Sequence, residues 1–333
     1  MKHDKTQTKR FSIFPLYHEN IWKFYKTQVS NAWFVEEVEL DQDVKDWTMM
    51  DSNLKKLISR VLAIFNFSDI VVCDNVKEIK HLLEPFNMLE AEFFYDAQLF
   101  IERIHAEMYS QFLETLIKSL QERNKLLNAV HHFEFAKRKA EVMAKYQGDK
   151  SSLNEKLINN ACGEQIGFSS LFAVIFWLRK KNLLPGVRLG NSLISQDENL
   201  HFSFACELYK TLCKLGHVEK LIEDRVVEIV KDFVSVEITI LDDIFSEIPE
   251  DELEELTKDN MKKYIKHMAD IVLLSLGYSK IYKQDNPFEF MTLINLREQH
   301  NFFERKTAEY KLFNVSQTKP EEKNKAYSVE VDF

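Results

Sequence analysis

Glu102-Arg103-Ile104-His105-Ala106-Glu107-Met108-Tyr109 sets a carboxylate, an imidazole and a phenol at helical spacing. At about 100° per residue, a helix projects Glu102, His105 and Tyr109 within about 60° of one another. Their stripe continues through Tyr95, Leu99, Leu113 and Leu116, so it faces a core. Carboxylates and imidazoles ligate metals, and a phenol can be oxidised. A second pair, Glu198-Asn199-Leu200-His201, recurs much later in the chain.

With 53 acidic residues and 10 histidines among 333 positions, chance supplies about 1.6 acid-x-x-His matches, so the motif alone says little. Helical phase separates the matches. Glu102 and Glu198 each sit on an apolar stripe, the latter with Ile194, His201, Phe202, Ala205 and Leu208. Glu78-Ile79-Lys80-His81 is a third match, but Glu78 lies nine residues after Asp69, on the opposite side of its helix from Val61, Leu62, Phe65, Val72 and Val76. It reads as a solvated pair.

The same test finds Asp69 inside that apolar stripe and Glu164 on one continued by Phe168, Leu171, Phe172 and Ile175. A lone buried acid is costly unless it is paired or ligates a cation. Taken singly, each such group is more often a satisfied core residue than a ligand. Taken together, Asp69, Glu102, His105, Glu164, Glu198 and His201 share the cost if they surround two metal ions. Oxygen-rich, nitrogen-poor ligation suits iron or manganese better than zinc. One acid from each of two helices and Glu-x-x-His from each of two others resembles the ferritin-like di-metal carboxylate proteins, with Asp69 in one of the single-Glu places.

Such a site needs long helices to position it, and the composition supplies them. Only 7 Gly and 6 Pro stand beside 45% hydrophobic and 29% charged residues, which predicts an all-α, ferritin-like helical bundle with the di-metal site in its core. Residues 1–48 read as an N-terminal arm with a short helix over 19–28, tacked down by Phe14, Trp22, Phe24, Trp33 and Trp47. The bundle covers 49–314, with helices over 51–83, 86–120, 124–146, 151–181, 190–215, 218–245 and 252–276. Gly277 fits a helix-ending cap. Residues 315–333 have the composition of a solvated tail, yet they close on Val329, Val331 and Phe333, as a docking peptide would.

A net charge of −9 and a pI near 5.7, with no basic stripe longer than Arg179-Lys180-Lys181, point away from nucleic acid and anionic membranes. Cys73, Cys162, Cys206 and Cys213 form no CxxC pair and read as reduced thiols. The polar start, Met1 to Arg10, carries no apolar signal core, which predicts a cytoplasmic protein. The most apolar stretch, 166–178, is interrupted by Ser169 and Ser170 and is too short for a membrane span.

Several further motifs accompany the candidate ligands: Phe11-Ser12-Ile13-Phe14-Pro15, Ile101 to Ser110, Ile175-Phe176-Trp177-Leu178, Leu193-Ile194-Ser195-Gln196-Asp197-Glu198, Asn286-Pro287-Phe288 and the acidic-apolar C-terminus. With them, nearly the whole chain resembles the small, radical-generating subunit of class I ribonucleotide reductase, most closely its eukaryotic branch. Desaturases and bacterial multicomponent monooxygenases share the carboxylate-histidine scheme but lack this tyrosine and this tail.

The resemblance implies two iron ions per subunit, with manganese possible. Asp69, Glu102 and His105 would bind one, and Glu164, Glu198 and His201 the other, with bridging carboxylates. It implies a tyrosyl radical on Tyr109 in an apolar pocket of Phe168, Phe172 and Ile194. Trp47, Asp197 and His105 would match the radical-transfer relay, with Tyr310 continuing it ahead of Tyr327. A homodimer would dock a separate large subunit through its tail, and ribonucleotides would be reduced to deoxyribonucleotides there. Substrate would not bind here, which fits the lack of a Gly-rich phosphate loop.

Gln196 stands where the family usually has Arg, Leu171 where Ser is common, and Gly167 where Phe is frequent. These departures motivate a second reading, a non-catalytic small subunit that stabilises or regulates an active one.

Overall fold

The computed structural model describes residues 9–291 except 247 and 250–252; Tyr310, Tyr327, Val329, Val331 and Phe333 lie outside the described residues. The described residues are helical, with no strand among them. In chain order the helices are α1 (Glu19–Ser30), α2 (Asp41–Met49), α3 (Ser52–Leu83), α4 (Leu89–Leu116), α5 (Leu120–Leu127), α6 (Ala129–His132) and α7 (Glu134–Ala144). They continue with α8 (Leu153–Cys162), α9 (Phe168–Trp177), α10 (Pro185–Leu215), α11 (Glu223–Ile244) and α12 (Lys258–Leu276). A π turn, Gly163–Gly167, joins α8 to α9.

Local chemistry starts and stops these helices. Asp51 accepts from the Asn53 N–H to open α3, Ser152 and Glu155 form a reciprocal capping box on α8, and Thr257 caps α12 through the Asn260 N–H. Gly277, at φ +84°, ends α12 in the left-handed conformation that a side chain resists. The start of α10 is capped from a distance. Asp43, fully buried on α2, accepts from the Gly186 and Val187 N–H groups at 2.8 and 2.7 Å, and Asp46 accepts from Leu184 N–H at 2.9 Å. That tertiary cap lets α10 begin at Pro185, earlier than its apolar period alone indicates.

The helices expected over 86–120, 218–245 and 252–276 are the shorter α4, α11 and α12, and two other expected helices are broken. The span 124–146 is α5, α6 and α7 instead of one helix, because Asn128 leaves helical dihedrals and Phe133 is extended at φ −127°, ψ 129°. The span 151–181 is interrupted by the π turn, which adds a residue to one turn and re-aims the helix beyond it.

The long helices α3 and α4 pack side by side, and α10 packs on α8, the π turn and α9. Every residue from 156 to 178 is buried, so this segment is wrapped by neighbours on all sides and has no solvent face. Fully buried Phe65, Phe94, Phe112, Phe168 and Phe204 supply the apolar mass. Each such side chain contributes on the order of 2 kcal/mol, which helps offset the cost of sinking acids among them. No described helix is long and apolar enough to cross a membrane.

Candidate metal centre

Four helical segments converge. Asp69 comes from α3, Glu102 and His105 from α4, Glu164 from the π turn, and Glu198 and His201 from α10. Their exposures range from nothing to 2%. One ligand atom each from Asp69, Glu102, His105 and Glu198 lies within 4.8 Å of the others, and the same holds for Glu102, Glu164, Glu198 and His201. Glu102 and Glu198 belong to both sets, the placement of carboxylates that bridge two ions. The third sequence match is no such site: Glu78 accepts from the Gly148 N–H at 2.8 Å and from Lys156, away from His81.

Both imidazoles turn the same edge inward. His105 Nδ1 is 3.1 Å from Glu198 Oε1, and His201 Nδ1 is 2.9 Å from Glu198 Oε2 and 3.0 Å from Glu102 Oε1. Their outer nitrogens face acceptors. His105 Nε2 donates to Asp197 Oδ2 at 3.1 Å, and His201 Nε2 donates to Gln28 Oε1 at 3.0 Å. An Nε2–H committed outward leaves the Nδ1 lone pair free for a metal.

The donor set fits a pair of cations. Among the described residues, Asp69 Oδ1 and Oδ2 and Glu164 Oε2 are buried without a hydrogen-bond partner, while Glu102 Oε2 and Glu198 Oε1 meet His105 Nδ1 at 3.4 and 3.1 Å. Buried polar atoms are seldom left so, and these face one another. Burial first, then the charge of Glu102, pushes the Asp69 carboxyl well above its ordinary range. Burial and then Glu198 do the same to Glu164. Burial opposes ionisation of Glu102 too, but His201 and His105 outweigh it and hold the carboxyl down at about 2. Burial would lower His201, yet Glu102 and Glu198 raise it to about 9. A pair of bound cations would supply the positive charge this cluster of acids demands.

Sequence reasoning missed several residues that complete the site. Gln98 on α4 donates to Glu102 Oε1 at 3.0 Å and to Glu164 Oε1 at 2.9 Å, spanning the two carboxylates. Gln28 joins His201 to Asp197, donating to Asp197 Oδ1 at 2.8 Å. The indole on Asp197 is that of Trp33, whose Nε1 donates to Oδ2 at 2.9 Å while its ring stacks on His105 at 6.1 Å. Trp47, named from the sequence beside Asp197 and His105, is buried on α2, and the indole that hydrogen-bonds Asp197 is that of Trp33. Trp33 is reachable only through a fold-level contact, so its place in the arm gave no periodic signal.

Tyr109 is fully buried, and its hydroxyl donates to Asn191 Oδ1 at 3.3 Å. Phe65, one turn before Asp69, stacks on the Tyr109 ring at 4.6 Å with an interplanar angle of 7°. Phe168 and Phe172 pack on Phe65 at 5.9 and 5.0 Å, and Ile194 is fully buried. Phe65 therefore lies between the tyrosine and the two phenylalanines named from the sequence. Burial first, and the Asp69 charge second, push the Tyr109 phenol well above its ordinary value.

The sequence profile described as "Ribonucleotide reductase, small chain" matches residues 10–287. The chain belongs to that family. The ribonucleoside-diphosphate reductase small chain of Yaba-like disease virus is 37% identical over 332 residues, which is 99% of this chain and 97% of the viral one. The small chain of Variola virus is 39% identical over 97% of both chains. Human ribonucleoside-diphosphate reductase subunit M2 is 37% identical over 98% of this chain and 80% of its own. The enzyme these small chains serve is an oxidoreductase. The Rnr4 homodimer of Saccharomyces cerevisiae matches with a TM-score of 0.71 at 27% identity, over 91% of this chain and 90% of that one. The dimanganese(II) NrdF of Streptococcus sanguinis, at 16% identity, has the same fold, with a TM-score of 0.74 over 86% of this chain and 98% of that one.

Proposed function

We propose that this ribonucleotide reductase small subunit holds two iron ions, or two manganese ions, and stores a radical on Tyr109 for delivery to a large subunit. The observation that carries the reading is a buried phenol beside a cluster whose two four-residue sets share Glu102 and Glu198. Asp69 and His105 would complete one ion's shell, and Glu164 and His201 the other's. When bound, the metal pair supplies, with dioxygen, the oxidising power for a one-electron oxidation of Tyr109.

The chain's own residues shape that oxidation and protect its product. Burial disfavours a Tyr109 phenolate, so the electron and the phenolic proton leave together and a neutral radical remains. Asn191 orients the O–H. The Phe65, Phe168, Phe172 stack and Ile194 exclude the water and thiols that would quench the radical. His105, Asp197 and Trp33 form an unbroken contact path from the centre toward the N-terminal arm and serve as the relay for electrons and protons. Tyr310 continues that relay near the tail, and Val329, Val331 and Phe333 dock the large subunit, where ribonucleotides are reduced. The arm spans 1–48, the bundle 49–314 and the tail 315–333; the subunit acts as a homodimer in the cytoplasm. The complete ligand set favours this reading over a non-catalytic partner subunit.

Reconstitution with ferrous iron and dioxygen tests it. A tyrosyl signal in electron paramagnetic resonance is expected, absent in Tyr109→Phe although that variant still takes up iron. A signal of unchanged size in the variant overturns the assignment.

A further inference from the structure

Lys139, on α7, is fully buried, and nothing in the chemistry above uses it. Its ammonium donates to Glu237 of α11 and to the backbone carbonyl of Gly167, the last residue of the π turn. Taking both charges out of water is expensive, and a buried ion pair is a poor source of net stability. Its value must lie in what it holds. A Cβ at Gly167 would stand 3.2 Å from Lys139 Nζ, a tight approach that the ammonium would have to relieve by a few tenths of an ångström. The glycine that departs from the family's frequent Phe thus has a partner across the core.

Glu164 is the second residue of the same π turn. A π turn is rare, appears mostly as a single turn inside an α-helix, and is frequent at functional sites. A charge-assisted hydrogen bond is roughly twice as strong as a neutral one, and here it fastens the turn where α9 resumes. The same ammonium lies 6.0 Å from the Phe168 ring centroid, beside the aromatic stack. We propose that Lys139 is a positioning residue for Glu164: its pair with Glu237 pins the end of the π turn and sets how far the carboxylate enters the half-site it shares with His201. This rests on reading Glu164 as a metal ligand.

Titration of the metal-free full-length chain with Mn(II), followed through the spin signal of the free ion, tests it. Lys139→Met/Glu237→Met removes both charges together, so neither is left buried and unpaired. Its circular dichroism should match the wild type. One ion should bind with wild-type affinity and the other at least tenfold more weakly. Glu164→Ala should show the same selective loss, and the triple variant no additional loss, because both changes act through one carboxylate. Wild-type affinity for both ions, equal weakening of both, or additive losses overturns the inference. Should the double variant fail to fold, Lys139→Leu/Glu237→Gln, which deletes the donor to the Gly167 carbonyl and leaves no buried charge, should reproduce the selective loss, and two unaltered affinities there overturn it. A wild-type chain that takes fewer than two ions overturns the metal reading and this inference with it.

Discussion

Gln28 and His201 are joined across the core: the imidazole Nε2 donates to the carboxamide oxygen at 3.0 Å, while the amide nitrogen of Gln28 donates to Asp197. Asp197 in turn accepts from His105. One side chain of α1 therefore influences the orientation of both inward-facing imidazoles. Replacing Gln28 with Leu keeps the bulk and deletes both bonds. Metal affinity should fall by about 10–100-fold, the usual cost of losing such support. Competition against a chelator measures it, and unchanged affinity would contradict the coupling.

Trp33 and Trp47 separate in function. Trp33→Phe deletes the only indole hydrogen bond to Asp197 shown among the described residues. Under the proposed function it should leave the Tyr109 radical in place while abolishing turnover with the large subunit. Trp47→Phe should retain most turnover. The reverse ranking in a coupled reductase assay would restore the relay expected from sequence.

Phe65 is fully buried against the Tyr109 ring. Phe65→Ala should destabilise the fold by about 3–5 kcal/mol through lost burial and a residual cavity. The milder Phe65→Leu should fold but shorten the lifetime of the radical, because the face of the ring is no longer covered. Timed spectra of reconstituted protein decide this, and a wild-type lifetime in Phe65→Leu would show that the stack is not the shield.

Glu90 anchors the start of the chain to α4. It accepts from the Arg10 guanidinium at 2.9 and 3.1 Å and from the Tyr17 N–H at 2.7 Å. Burial works against its ionisation, but Arg10 and Tyr17 outweigh it and hold the carboxyl below its ordinary value of 4.5. A folded-state value below the unfolded one means the stabilisation is fully present above about pH 4.5 and is lost as pH falls through the depressed folded value. The protection factors of residues 10–17, corrected for the slower intrinsic exchange at low pH, should therefore fall in acid. Glu90→Gln should show fast exchange already at neutral pH; acid-independent protection in the wild type would argue against this anchor.

The meeting of Asp69 with the two Glu-x-x-His pairs was legible because a helix converts a spacing of three or four residues into one face. Glu164 was legible for a weaker reason. The apolar stripe assigned to it does not discriminate, since every residue from 156 to 178 is buried. The π turn was hidden because a single inserted residue leaves no mark on a 3.6-residue period. Gln28, Trp33 and the caps from Asp43 and Asp46 were hidden for another reason: each acts on a partner more than a hundred residues away. The break between α6 and α7 falls in His131-His132-Phe133-Glu134, which contains neither Gly nor Pro to announce it.

Anomalous diffraction from crystals of the full chain soaked in ferrous or manganous ion tests the central claim most directly. Two peaks are expected, both within bonding distance of Glu102 and Glu198, one touching His105 Nδ1 and the other His201 Nδ1. A single peak, or two that do not share those carboxylates, would contradict the account.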